Sequence, residues 1–367
     1  MTFKIISVVG ARPNFVKIAP LDREFKKHPE IQHLICHTGQ HYDKNMSDDF
    51  FKQLGITQPA YNLGISGGSH ATQVADILKA FEQVLLKENP HLVVVPGDVN
   101  STLAAALAAS KLGYPIAHIE AGLRSFDRTM PEEINRLLTD QISDLLFVTE
   151  KSALTNLEKE GIDSSKVFFT GNIMIDSLIH QKEQIQATEI LKQYQLENGN
   201  FAIATFHRPS NVDDEKKLNQ LVNFINEVSS RIQLILPLHP RTRNRLESFE
   251  LMARINNQII LSEPLSYISF LSLIEKARLV ITDSGGIQEE TSFLKIPCVT
   301  VRDNTERPVT VEVGTNYLAG TDFNNALNIV NQILNNQHKK GQIPELWDGK
   351  TAERIYQHIS HYLNLRA

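Results

Sequence analysis

The chain has 367 residues, 41% hydrophobic and 22% charged, with a formal net charge of -5. That is the make-up of a soluble globular protein long enough for two domains. It excludes a nucleic-acid or anionic-membrane coat, so any bound anion must be held by local groups.

The opening MTFKIISVVGARP reads as a strand and its loop, not a signal peptide, and no apolar run approaches a membrane span. Strands are predicted over 4–9, 33–37, 92–95, 116–119, 145–148 and 167–169, and a second set over 202–206, 234–237, 258–261, 279–282 and 298–301. Several are apolar throughout, as parallel strands covered on both faces are. Helical periodicity falls over 72–88, 103–112, 132–143 and 217–229. This is βαβ rhythm in two halves. The fold class expected is α/β, with two doubly wound Rossmann-like domains facing a central cleft: residues 1–172, residues 173–349, and a helix in 350–367 that crosses back to the first domain. Cys36 and Cys298 fall in strand-like segments, are expected as buried free thiols, and place the protein in the cytoplasm.

In such folds ligands meet the loops after the strands. In GARPNFVK, Gly10 permits a tight turn, Arg12 offers a forked phosphate contact, and Lys17 lies on the following helix. Neither G-x-G-x-x-G nor a Walker pattern is present, so a dinucleotide or ATP fingerprint is absent. Asp98 follows the strand ending in VPGDVNST, and Glu120 the one ending in HIEAGLRS. Glu132, Glu133 and Arg136 open the helix of MPEEINR, with Glu132 and Arg136 spaced i,i+4. Glu133 reads equally as a complement to the helix dipole. Asp98, Glu120 and Glu132 come from three separate loops. Carboxylates gathered at one cleft raise each other's pKa and suit acid/base work.

In the second half, His207 and Arg208 end one strand (ATFHRPSN). His239 ends another (LPLHPRTRNR), followed by Arg241, Arg243 and Arg245. His207 suits either a phosphate contact or a proton shuttle. No metal-ligand spacing occurs. In VITDSGGIQEET, Ser284, Gly285 and Gly286 open a helix whose free N–H groups favour an anion. Glu290, one turn on, is placed to accept two ribose hydroxyls. Arg307 sits on a later loop. These residues argue for a nucleotide-diphosphate ligand, its pyrophosphate on the second domain and its reacting part among the carboxylates of the first.

GARPNFVK, HTGQHYD, PGDVNST, HIEAGLRS, PEEINR, HRPSN, TDSGGIQEE, RDNTERP and WDGKTAERI, in this order over nearly the whole chain, resemble the non-hydrolysing UDP-N-acetylglucosamine (UDP-GlcNAc) 2-epimerases of glycosyltransferase-B architecture. The resemblance implies reversible inversion at C2 of the sugar to give UDP-N-acetylmannosamine (UDP-ManNAc), by elimination of UDP to a 2-acetamidoglucal and re-addition. It implies a homodimer with no cofactor and no metal. By motif match, Ser284, Gly285 and Gly286 hold phosphates and Glu290 the ribose; Arg12, His207 and Arg307 lie near diphosphate or sugar. Asp98, Glu120 and Glu132 form the reactive group with Arg136, and Asp98 and Glu120 are the preferred proton-transfer pair.

The sequence also departs from the family pattern. HRPSN stands where HRREN is common, so an arginine is missing after Arg208, and LRSFDRTMPEE replaces a YP-x-PEE run. Members bind a second UDP-GlcNAc as activator near the loop that here holds Gln40 and His41; the missing arginine counts against that regulation. LRSFDRTMPEEINR and LHPRTR also occur in relatives acting on UDP-2,3-diacetamido uronic acids, while Arg307 in ERP favours UDP-GlcNAc. A UDP-sugar glycosyltransferase would need an acceptor groove that no segment suggests. HIEAGLRS is unlike the hydrolysing epimerases, and retention of three acids argues against an inactive sugar-nucleotide sensor.

Overall fold

A computed structural model describes residues 2–39, 51 and 53–366; Gln40 and His41 lie outside the described residues. The chain divides into two compact units, Met1–His180 with Glu345–Ala367, and Gln181–Pro344. The first carries β1 (Phe3–Val9), β2 (Ile31–His37), β3 (Tyr61–Asn62), β4 (Leu92–Pro96), β5 (Ile116–Ala121), β6 (Leu145–Val148) and β7 (Val167–Phe169) in the order β3-β2-β1-β4-β5-β6-β7. The second carries β8 (Phe201–Thr205), β9 (Gln233–Pro237), β10 (Ile260–Ser262), β11 (Leu279–Thr282), β12 (Cys298–Thr300) and β13 (Asn316–Leu318) in the order β10-β9-β8-β11-β12-β13. Every pairing is parallel. Strand order reverses between β1 and β4 in one sheet and between β8 and β11 in the other, and at such switch points the loops part to leave room for a ligand.

The strands form because their runs are apolar on both faces. Leu92, Val93, Val94 and Val95 of β4 are wholly buried, in the manner of a central parallel strand. The helix His70–Glu88 starts two residues before its periodicity does, because the Ser69 hydroxyl accepts from Thr72 N at 3.2 Å. A capping hydroxyl satisfies one of the amides that the first turn leaves bare. The helix stops at Asn89, which takes the left-handed conformation (φ 46°). No helix among the described residues is long and apolar enough to cross a membrane. Both cysteines are buried and unpaired.

The break between the units falls after His180 and again before Glu345, not at 172/173 and 349/350. The helix Ile173–His180 is apolar enough to be packed instead of solvated. Ile173, Ile175 and Leu178 are buried, and the Ser177 hydroxyl donates to Val16 O at 2.6 Å. Trp347, 2% exposed, donates its indole N–H to Thr149 O. The final helix, Thr351–Arg366, packs on the first unit: Asp176 accepts from Ala352 N at 2.8 Å, and the Tyr356 hydroxyl donates to Glu30 at 2.7 Å.

One buried polar line stiffens the first unit. Asp22, 1% exposed, takes His33 Nδ1 at 2.8 Å, Thr57 N at 2.8 Å and Lys26 Nζ at 2.8 Å, while His33 Nε2 meets Ser7 Oγ at 2.8 Å. The Ser-His-Asp order imitates a hydrolytic triad, but Ser7 is wholly buried and no substrate reaches it. Burial pushes the Asp22 carboxyl up, yet its bonds to His33 and Lys26 outweigh this and hold it well below 3.8. A depressed folded pKa stabilises above the unfolded value and is lost as pH falls through the folded one. Asp22→Asn is therefore expected to cost about 3–5 kcal/mol at pH 7, as losing one partner of a buried pair does, and less in acid. Urea melts at pH 7 and at pH 3 check this; equal losses at the two pH values would contradict it.

Candidate active site

At the first switch point the loops after β1 and β4 are tied by one side chain. Asn14 Oδ1 accepts from Gly10 N and Ala11 N, and its Nδ2 donates to Pro96 O at 3.0 Å. Gly10 does not use a positive φ. Its hydrogen is required because a Cβ would collide with Ser101 Oγ. Arg12 is exposed in the first turn of the helix Arg12–Phe25, whereas Lys17 of that helix is 5% exposed and places Nζ 2.6 Å from Glu120 Oε2.

Glu120 itself has φ +73°, a region that non-glycine residues seldom enter. The β5–β6 register skips it, passing from Ile119 to Ala121. It is the extra residue of a bulge, and such bulges re-aim a side chain beside functional sites. Asp98, partly exposed, receives Arg136 Nε at 3.0 Å and Nη2 at 2.6 Å. Arg136 also pairs with Glu133 at 2.6 Å, so the expected i,i+4 partner Glu132 is replaced by an i,i+3 one. Glu133 is buried because it accepts from Ser125 N, Ser125 Oγ and Phe126 N, folding the loop 123–130 over the helix start. Glu132, half-buried, makes no ion pair or side-chain hydrogen bond among the described residues. The acids are thus not a bare carboxylate cluster: Asp98 and Glu120 each hold a cation.

The second switch point is organised by Asp283, which is wholly buried at the end of β11. Its carboxylate accepts from His207 N, Arg208 N and Asn211 Nδ2, and meets His207 Nδ1 at 2.9 Å. Burial pushes this carboxyl up, but His207, Arg208 N and Asn211 together hold it below the usual range. The His207 ring, held through Nδ1 by Asp283, is 39% exposed. His239 caps the helix Pro240–Ser248, its Nδ1 accepting from Arg241 N, and its ring lies 5.4 Å from that of His207. The arginines after it are engaged on the surface, Arg241 and Arg245 with Asp213, and Arg243 with Glu263.

Ser284 precedes the helix Gly285–Leu294 and makes no side-chain cap bond. A Cβ on Gly285 would lie 2.6 Å from Arg307 Nη1, so glycine makes room for that guanidinium at the helix N-terminus. Arg307 pairs with Glu289 at 3.0 Å and Glu306 at 3.1 Å; Glu306 also faces Arg302 at 2.8 Å and Arg208 at 3.6 Å. Arg208, Arg302 and Arg307 thus gather beside helix amides that themselves favour an anion.

Glu290 follows in the same helix, 4% exposed. Burial, and then the neighbouring Glu289, push its carboxyl from 4.5 up to about 8, against a hydrogen bond from the Tyr267 hydroxyl. The folded, ligand-free protein keeps this proton at neutral pH while the unfolded chain loses it. The group therefore costs nothing below pH 4.5 and costs progressively more as pH rises toward about 8. Glu290→Gln is expected to raise the melting temperature at pH 8 by about 2–4 °C for each kcal/mol regained, and to leave it unchanged at pH 4.5. Thermal melts at the two pH values check this; an equal shift at both would contradict it.

The structure brings Lys17, Asp98, Glu120 and Arg136 to the first switch point, and His207, Arg208, His239, Ser284, Gly285, Glu290 and Arg307 to the second. Sequence reasoning missed Asp283, although it stands in TDSGG as an acid on a strand end facing HRPSN. It missed Glu289 and Glu306, whose only signal is burial. It also missed His118 and Asp140, buried behind the first switch point. Among the described residues no group of three or more His, Cys, Asp or Glu side chains is placed to hold a metal ion.

Two Rossmann-like units in one chain, with charged residues on the strand-end loops, define the glycosyltransferase-B class of fold. Within it the chain belongs to the UDP-N-acetylglucosamine 2-epimerase family, whose profile matches residues 23–360. It is 44% identical over 361 residues to the UDP-N-acetylglucosamine 2-epimerase of Methanococcus maripaludis, covering 96% of this chain and 98% of the relative. It is 45% identical over 320 residues to the UDP-2,3-diacetamido-2,3-dideoxy-D-glucuronate 2-epimerase of Pseudomonas aeruginosa, covering 86% and 88%. The crystal structure of the Methanocaldococcus jannaschii UDP-GlcNAc 2-epimerase in complex with UDP-GlcNAc and UDP superposes with a TM-score of 0.91 at 42% identity, covering 98% of this chain and all of that one.

Proposed function

We propose that the protein interconverts UDP-GlcNAc and UDP-ManNAc by inverting C2 of the sugar. The observation that carries this reading is the Glu120 bulge: a carboxylate held at positive φ against a buried lysine, near an aspartate held by an arginine. A base removes the C2 proton, the C2–H electrons form the C1=C2 bond, and the C1–O bond breaks to release UDP. UDP then re-adds at C1 as a proton returns to the opposite face of C2. Inversion needs a proton acceptor on one face and a proton donor on the other, the roles exchanging in the reverse direction, and Asp98 and Glu120 are the pair assigned to them, with Glu132 completing the reactive group. Lys17 and Arg136 orient that pair. Negative charge growing on UDP is best met by preorganised amides and cations; Ser284, Gly285, Gly286, Arg12 and Arg307 take this role, with His207 and His239 beside the diphosphate and Glu290 on the ribose. The reaction needs neither cofactor nor metal. The buried free thiols fit a reducing cytoplasm, and a homodimer rests on the family resemblance alone.

A second substrate stays in view because the Pseudomonas aeruginosa relative, at 45% identity, is a diacetamido-glucuronate epimerase. Incubation with UDP-GlcNAc in heavy water, followed by NMR, separates the readings. Expected is UDP-ManNAc with deuterium at C2, and the same equilibrium reached from UDP-ManNAc. Free ManNAc would indicate hydrolysis, and no reaction without an acceptor would indicate transfer. Turnover confined to the diacetamido uronic acid would move the substrate assignment to that sugar.

A further inference from the structure

Behind the first switch point lies a pair of wholly buried residues that touches both acid-bearing loops. His118 on β5 meets Asp140 Oδ1 through Nδ1 at 2.6 Å and donates Nε2–H to Gly97 O at 2.8 Å, the carbonyl just before Asp98. Asp140 Oδ2 accepts Gly122 N at 3.0 Å, two residues after Glu120, and takes Arg124 Nη2 at 2.7 Å. Arg124 is anchored in turn by Glu160. One aspartate therefore fixes the backbone on the far side of the Glu120 bulge and, through His118, the backbone entering Asp98. A residue at φ +73° persists only where its surroundings over-determine it; Gly97 N, given to Ile119 O at 2.9 Å, ties the chain just before it, and the Gly122–Asp140 bond ties it just after.

We propose that Asp140 and His118 are positioning residues that set the separation of Asp98 and Glu120. This rests on the reading that those two acids exchange protons with the substrate. Asp140→Asn, and separately His118→Gln, which keeps an N–H donor for Gly97 O, are each expected to lower kcat by about 10–100-fold with KM changed less than about threefold, the signature of an interaction used only in the transition state. Combined with Asp98→Asn, the Asp140→Asn loss should fall short of the product of the single losses, because the group it positions is gone. Amide exchange should quicken in 96–101 and 119–125 ahead of the rest of the unit. Additive losses, an unchanged kcat, uniformly faster exchange, or failure of both variants to fold would each overturn the proposal and reduce the pair to core structure. If the unaltered protein does not turn over UDP-GlcNAc, the proposed substrate fails, while the exchange pattern still decides whether the pair holds these loops.

Discussion

Asp98→Asn is expected to lower turnover of UDP-GlcNAc by about 100-fold or more, about 2.7 kcal/mol of transition-state stabilisation, without unfolding the protein. The amide keeps the shape of the carboxylate and an oxygen for Arg136, whose Nη1 stays paired with Glu133 at 2.6 Å. The Asp98 side chain is 22% exposed, so the altered charge balance is partly met by solvent. What disappears is the capacity to take and return a proton. Glu120→Gln should match it in rate but not in stability, because Lys17, 6% exposed in its side chain, would be left without its carboxylate. Initial rates in both directions, set beside thermal melts, separate the two effects. Near-normal turnover for Asp98→Asn would remove Asp98 from the mechanism.

Asp283→Asn is expected to have the other large effect, on stability and rate together. The native carboxylate accepts from two backbone amides and the Asn211 side chain and meets the His207 ring. An asparagine has one oxygen for these donors and turns an N–H2 toward one of them, leaving buried polar groups unsatisfied at about 1–3 kcal/mol each. His207 would also lose the partner that fixes its tautomer. Turnover should fall about 100-fold or more, because the His207 ring and the loop that carries it lose the group that orients them. In the parent, Asp283 stabilises above its unfolded value of 3.8 and loses that contribution as pH falls below it. The variant should therefore show a flatter acid limb. Normal melting temperature with unchanged turnover would show that Asp283 organises neither the loop nor the ring.

The sheets were legible because central parallel strands announce themselves as unbroken apolar runs. The edge strands β3 and β13 were not, since Tyr61–Asn62 and Asn316–Leu318 are too short to show a pattern and are defined by pairing alone. Site residues were legible where a charged or glycine-rich loop follows a strand. Their partners were not, because pairing acts across the chain: Arg136 reaches Asp98 over 38 residues, and Asp283 reaches His207 over 76. Nor does a sequence show that Glu120 takes a left-handed backbone, or that Glu133 and not Glu132 turns inward to hold a loop. The break was legible only as a stretch between Gly171 and Gly199, which contains the division at His180, because an amphipathic stretch looks alike whether it links two units or packs on one.

In the proposed reaction C2 inverts only by way of a broken C1–O bond. UDP-GlcNAc carrying ¹⁸O in the oxygen between C1 and the β-phosphorus, incubated with the protein and followed by ³¹P NMR, tests it directly. Elimination makes that oxygen equivalent to the other β-phosphate oxygens of free UDP, so the label should scramble out of the bridging position as epimerisation proceeds. UDP-ManNAc formed with the label still wholly in the bridge would mean that the bond never broke.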